Sequence, residues 1–198
     1  DNREALKVLV EAGDDVHERT RGGRNALGIA GRLGREACLR VMHDAGVDMS
    51  TADTEGRSAV LTAAFNGHEG CLRALHGFGC DMGKPDKHGR SPAFVAAQHG
   101  HEGCLRLLHE FECDMGQPTN DGATPAYSAA FNGHEGCLRL LHGFGCDMGQ
   151  PMNGGCTPAY VAAEEGHEGC LRLLHGFGCK MGQPNNNGAP PAYIAAEN

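Results

Sequence analysis

Apolar residues along this chain recur at helical spacing in short, separated stretches. Cys170, Leu171, Leu174 and Phe177 stand at i, i+1, i+4 and i+7, one stripe that must face a neighbouring element. Glu168 and Arg172 lie four apart on the solvent side, in the Glu-before-Arg order that adds roughly 0.2–0.5 kcal/mol to an exposed helix. Upstream, Thr157-Pro158-Ala159-Tyr160 reads as an N-cap followed by Pro at the first helical position, where no amide donor is needed. Ala162 and Ala163 continue that helix and Gly166 ends it. The second helix is predicted to begin near His167, with Glu168 meeting the positive end of the backbone dipole. Beyond Gly178 a Gly- and Asn-rich segment is predicted to project as a loop or hairpin.

This pattern repeats. GHEGCLRALHGFGCDMGKP from Gly67 returns, little changed, from Gly100, Gly133 and Gly166, a period of 33 residues. A more diverged copy starts at Gly34, and the first fifteen residues are in phase with it. A fixed period of this size means one supersecondary unit stacked many times, each too small to bury its apolar face alone. The units run over 23–55, 56–88, 89–121, 122–154 and 155–187, with partial units at 1–22 and 188–198.

Turn, helix, short loop and helix in this period resemble the ankyrin repeat, and the resemblance covers the whole chain. Gly122-Ala123-Thr124-Pro125-Ala126-Tyr127, Ala129-Ala130, Gly133-His134 and Gly145-Cys146-Asp147 fill the slots that carry the family's pattern. The resemblance implies an all-α solenoid of stacked helix-turn-helix units with projecting hairpin loops. Neither end resembles a polar cap, so the chain is expected to be part of a longer array. It is expected to be a monomer whose uncapped termini leave end-to-end contacts open.

Three departures stand out. Tyr127, Tyr160 and Tyr193, with Phe94, replace the His that in the family hydrogen-bonds within its own turn, so that network must be rebuilt or lost. Glu112 stands where other units have Gly79, Gly145 or Gly178, at a loop position that needs positive φ in the family. His43, His76, His109, His142 and His175 fill a slot late in the second helix that is usually Leu, giving either an acid-sensitive stack or half-exposed imidazoles without a role.

Composition narrows the function. Gly is 31 of 198 residues, Trp is absent and aromatics are 5%, which does not suit a thick single core. A formal charge of −8 disfavours nucleic acid, whose binding needs a concentrated positive footprint. No apolar run of 18 residues exists to span a bilayer, and the N-terminus lacks the order of a secretory signal, so no membrane partner is expected.

Ten cysteines invite a metal or disulfide reading, but nine of them fall into two series at the repeat period, and only Cys156 is out of series. Cys71, His76 and Cys80 recur together in every later unit. Residues five apart on a helix are separated by about 140°, so Cys71 and His76 cannot close on one ion, and C-x-x-C spacing is missing. Equivalent helices about 8–10 Å apart are too far for a ladder of disulfides. Cys71 and its equivalents are expected to be small buried apolar groups, with no metal and no cofactor. Many reduced thiols point to a cytoplasmic or nuclear location. Cys156 lies in an exposed turn, where its thiol is either reactive or incidental.

No catalytic constellation emerges. Gly77-x-Gly79 ends a helix instead of opening one, no Gly-x-Ser-x-Gly elbow occurs, and Glu164 and Glu165 are adjacent and diverge by about 100°. The chain is therefore expected to be no enzyme.

Because buried slots are nearly invariant between units, positions that differ are free to serve a partner. In the turns these are Glu55 and Arg57, His88 and Arg90, Asn120 and Asp121, and Asn153. At the ends of the first helices they are Arg32, Phe65 and Asn66, Gln98 and His99, Phe131 and Asn132, and Glu164 and Glu165. The resemblance implies that such positions line a concave binding face. Phe65 and Phe131 are the expected anchors among polar neighbours, with packing between first helices as the other reading. The strip grades from basic (Arg32, Arg57, Arg90) to acidic (Glu164, Glu165). The expectation is a module that binds a protein partner. A structural spacer or spring in a long array, and a thiol-rich metal or redox protein, remain the alternatives.

Overall fold

The computed structural model describes residues 3–197 apart from positions 14, 17, 21 and 22, and among these residues the regular structure is helical throughout. The chain opens with α1 (Arg3–Glu11) and then alternates seven- and nine-residue helices. The short first helices are α2 (Ala26–Arg32), α4 (Ala59–Phe65), α6 (Pro92–Gln98), α8 (Pro125–Phe131), α10 (Pro158–Glu164) and α12 (Pro191–Glu197). The longer second helices are α3 (Glu36–Asp44), α5 (Glu69–Gly77), α7 (Glu102–Glu110), α9 (Glu135–Gly143) and α11 (Glu168–Gly176). Each first helix packs on the next first helix and each second helix on the next second helix, while the two helices of a unit pack on each other. The result is a two-layer solenoid.

The start of α2, α4, α6, α8 and α10 is fixed by a side-chain cap. Ser58, Ser91, Thr124 and Thr157 each accept the amide of the residue three positions on at 3.1 Å. Each such cap is worth about 1 kcal/mol. These helices are then buried almost all round, Pro92 to Ala97 without interruption, because paired alanines let neighbours approach closely. The second helices bury one stripe. Leu72, Leu75, Leu105, Leu108, Leu138, Leu141 and Leu174 are fully enclosed, each contributing roughly 1.5–3 kcal/mol over the exposed state.

Histidines link the units in two rows. The imidazole Nε2 of His68, His101, His134 and His167 donates to the carbonyl of Arg32, Phe65, Gln98 and Phe131 respectively, at 3.0–3.1 Å. Those carbonyls end the preceding first helices and have no intrahelical donor of their own. Gly100 shows what the arrangement demands: its φ is +74°, and a Cβ there would sit 2.8 Å from Nδ1 of His134. The second row is formed by four of the five late-helix histidines. His43, His76, His109 and His142 stack nearly parallel on Phe78, Phe111, Phe144 and Phe177 of the following unit, with ring centroids 3.9–4.1 Å apart. They are half of an inter-unit contact, not bystanders.

The solvent-side ion pairs form with one exception. Glu36–Arg40, Glu102–Arg106, Glu135–Arg139 and Glu168–Arg172 lie within 2.6–3.6 Å, whereas Glu69–Arg73 is not among the ion pairs of the described residues. Glu69 instead lays its carboxylate over Gly103 of the next unit, where a Cβ would collide with it. Glu102 over Gly136 and Glu135 over Gly169 share this placement. Gly103, Gly136 and Gly169, costly in isolation, therefore make room for a neighbouring carboxylate.

Tyr160 rebuilds the missing turn network in its own way, its hydroxyl accepting from Asn185 Nδ2 at 2.9 Å. The turns themselves are tied base to base. Asp53 Oδ1 accepts the amides of Glu55 and Arg57 at 2.9 Å, and Oδ2 takes Arg57 Nε at 2.7 Å. Asp86 does the same with the amides of His88 and Arg90 and with Nε of Arg90. Burial alone would raise the Asp53 pKa, but the amides and the guanidinium of Arg57 outweigh it and hold the carboxyl below its ordinary 3.8.

Two outcomes follow. Glu112 has φ +59° where its counterparts are glycine, so Glu112→Gly is expected to raise stability by about 1 kcal/mol and the melting temperature by about 2–4 °C. A fall on thermal unfolding would show that the glutamate side chain outweighs its backbone strain. Asp53→Asn is expected to cost about 1–2 kcal/mol at neutral pH. Because the folded pKa is depressed, the carboxylate's contribution is complete above the unfolded value and fades as pH falls through the folded one. Denaturant unfolding should show wild type and variant converging below pH 3.8; a constant gap would contradict the role of the charge.

Candidate functional site

Two adjoining clefts lie along the layer of short helices and turns. One, of about 280 Å³, is lined by Arg32, Arg57, Phe65, Asn66 and Arg90, together with Arg24, and has Leu61, Thr62 and Val95 in its walls. The other, of about 350 Å³, includes His88, Arg90, Gln98 and Asp121 with Phe94, Thr119 and Ala123. Arg90 belongs to both, so variable positions of the units 23–55, 56–88 and 89–121 are brought into one continuous strip.

The local structure ties down the backbone that presents these side chains. Arg32, Phe65, Gln98 and Phe131 have their carbonyls engaged by the histidines of the next unit. Phe65 is 41% exposed, large for an aromatic, and its ring tilts against His99 with centroids 4.0 Å apart. Burial lowers the His99 pKa, and neighbouring His101 and His134 lower it further, which favours the uncharged imidazole beside Phe65. Phe131 is 42% exposed and lines neither cleft. Each ring is thus partly packed and partly exposed.

Several candidates also serve the scaffold. Asn66 and Asn132 turn their amides back onto the carbonyls of Thr62 and Ser128 at 2.8 Å. Asn120 and Asn153 donate to the carbonyls of Lys87 and Asn120, one unit back, at 2.9 and 3.4 Å. Backbone bonds run in parallel with them, from Lys87 N to Glu55 O, Asn120 N to His88 O and Asn153 N to Asp121 O. Glu55 lies 3.8 Å from His88. Glu164 and the exposed Glu165 stand at the far end of the strip. There Tyr127 is pushed up to about 12 by burial, then by Cys156, Glu164, Asp121 and Glu165.

The charge gradient has a different basis from the one expected. Arg57 and Arg90 are clamped onto the buried carboxylates of Asp53 and Asp86, whose side chains are 4% and 0% exposed. The turn position four residues before Arg24 holds Thr20, which accepts the Arg24 amide but offers no charge. Among the described residues neither Arg24 nor Arg32 has a carboxylate within ion-pair reach. The basic end of the strip rests on these two. Arg24 was missed in the sequence, although comparing Thr20 with Asp53 and Asp86 at the repeat period would have found it.

The thiols offer little chemistry. All ten cysteines are free. Burial, then the Glu carboxylate of the preceding unit, pushes Cys104 and Cys137 up to about 12, and burial followed by Glu36 and Cys38 pushes Cys71 to about 11. Cys156 is raised too, by burial and then Glu164, so its environment opposes a nucleophilic thiolate. Among the described residues no three His, Cys, Asp or Glu side chains are placed to hold a metal ion, and no helix is long and apolar enough to cross a membrane.

The sequence model for ankyrin repeats (3 copies) matches residues 1–86 and 62–152. The crystal structure of the human ASB11 ankyrin repeat domain superposes with a TM-score of 0.88 at 23% identity, covering 98% of this chain and 87% of that one. The search of curated proteins found no match. With the helix pairs, the capped turns and the period all in agreement, this chain belongs to the ankyrin-repeat family.

Proposed function

We propose that the chain is a non-catalytic module that holds a segment or surface of a protein partner against the concave strip of first helices and turns. Ankyrin repeats are generally protein–protein interaction modules, and the fold is generally non-catalytic. One observation supports this strip above other surfaces: one of its two adjoining clefts combines an exposed Phe65 with Arg24 and Arg32, which have no carboxylate partner among the described residues. Aromatics and arginines carry a disproportionate share of binding energy at protein interfaces. The outer face, by contrast, repeats the same Glu–Arg pairs from unit to unit and offers little to distinguish one partner from another. The ten free thiols suit a reducing cytoplasmic or nuclear setting.

The test is capture of partners from cell extract by the wild-type chain and by a Phe65→Ala, Phe131→Ala variant, with each partner identified and its affinity then measured. Both rings are more than one-third exposed, so the thermal transition should shift little, while affinity should drop by about tenfold or more. Undiminished affinity would move the interface off this face and favour a spacer role.

A further inference from the structure

The clefts also indicate what kind of segment would fit. We infer that the cleft spanning α2, α4 and α6 receives an acidic peptide segment that places an apolar side chain against Phe65 and carboxylates on Arg24 and Arg32. This rests on the reading of the concave strip given above and specifies its occupant.

Charge complementarity is the first argument. Four guanidinium groups, from Arg24, Arg32, Arg57 and Arg90, line a cleft of about 280 Å³ in a chain whose formal charge is −8. Asp53 and Asp86 answer two of them from below, at 2.7 and 2.6 Å. Arg24 and Arg32 are exposed and lack a carboxylate partner among the described residues. The fold could have supplied a third counter-ion at the position of Thr20, as it does at Asp53 and Asp86, but Thr20 is neutral. A carboxylate from outside would complete the series, and a guanidinium offers it two parallel donors.

Shape is the second argument. Leu61 and Val95, 2% and 0% exposed, back the cleft, and the exposed Phe65 supplies its apolar surface. Desolvating that surface favours an aliphatic or aromatic side chain beside the anionic groups. Nucleic acid is a poorer match, because its backbone needs a track of uncompensated charges and this cleft presents two. Clamped Arg57 and Arg90 then act as rigid donors whose positions are set before the segment arrives, which limits the entropy lost on binding.

The experiment uses fluorescence anisotropy with the intact chain and four labelled probes. These are a dodecapeptide of alternating glutamate and leucine, the same peptide with lysine for glutamate, the same with glycine for leucine, and a single-stranded dodecanucleotide. The glutamate–leucine peptide should bind, with affinity falling as salt rises. The glycine peptide should bind about tenfold more weakly, and the lysine peptide and oligonucleotide more weakly still. Arg24→Glu and Arg32→Glu should each reduce affinity about tenfold. Arg106→Glu, the same reversal on α7 beside Glu102, should leave it within about twofold. Circular dichroism of each variant checks that the helices persist.

Absence of binding at about 1 mM peptide, the weak end of specific recognition, would overturn the inference. Equal binding by the Arg24→Glu, Arg32→Glu double variant, or tighter binding of the oligonucleotide, would do the same. The underlying reading is tested separately. A partner that depends on Phe65 and Phe131 but ignores Arg24 and Arg32 would leave the concave strip standing and remove the acidic segment. One indifferent to all four side chains would remove both.

Discussion

A short helix ends with carbonyls that its own turn cannot satisfy, and in this chain the imidazole of the next unit satisfies one of them. The bond from His101 to Phe65, and its counterparts at His68, His134 and His167, joins residues 36 apart in sequence and nothing more distant. The other links have the same reach: His76 on Phe111, Asn120 on Lys87, Glu69 over Gly103. Among the described residues the main packing runs within a unit and to the next one, so the energy of the fold is a sum of local pairs and interfaces. That constraint explains why the sequence changes so little from one buried slot to the next. A residue altered in one unit disturbs two interfaces at once.

It also divides the surface by task. Most of the imidazoles, the buried thiols and the outer carboxylates are taken up in holding units together, and their environments suit that work. Burial drives the cysteine thiols away from ionisation, so they behave as small apolar filler. What remains free to vary are the side chains that project from the ends of the short helices and the tips of the turns. The carbonyl clamp makes these ends rigid, since the same backbone that presents Arg32 and Phe65 is bonded to His68 and His101. Rigid presentation lowers the entropic cost of binding and gives neighbouring side chains a fixed spacing.

Much of this was legible in the residues themselves. Thr157-Pro158 located a helix start and its cap, the leucine stripe located the buried side of α11, and the substitution of Glu112 for glycine marked a left-handed loop residue. These signals are local, set by one helical turn or one backbone angle. The roles of His76 and Glu69 were not legible, because each depends on which residue of the following unit lies opposite. Arg57 and Arg90 were counted as free charges although Asp53 and Asp86 stand four residues before them. Only the folded turn shows that those carboxylates are buried and bonded to the amides as well as the guanidinium. Arg24 escaped attention for the converse reason, since its importance comes from a partner that its turn lacks.

The claim that stability passes only between neighbouring units is tested most directly by hydrogen exchange of the backbone amides, read helix by helix in the folded chain. The account predicts protection greatest in α4 to α9 and falling in steps toward α1 and α12, because outer units share one interface where inner ones share two. A single level of protection from α1 to α12, lost in one step, would contradict it.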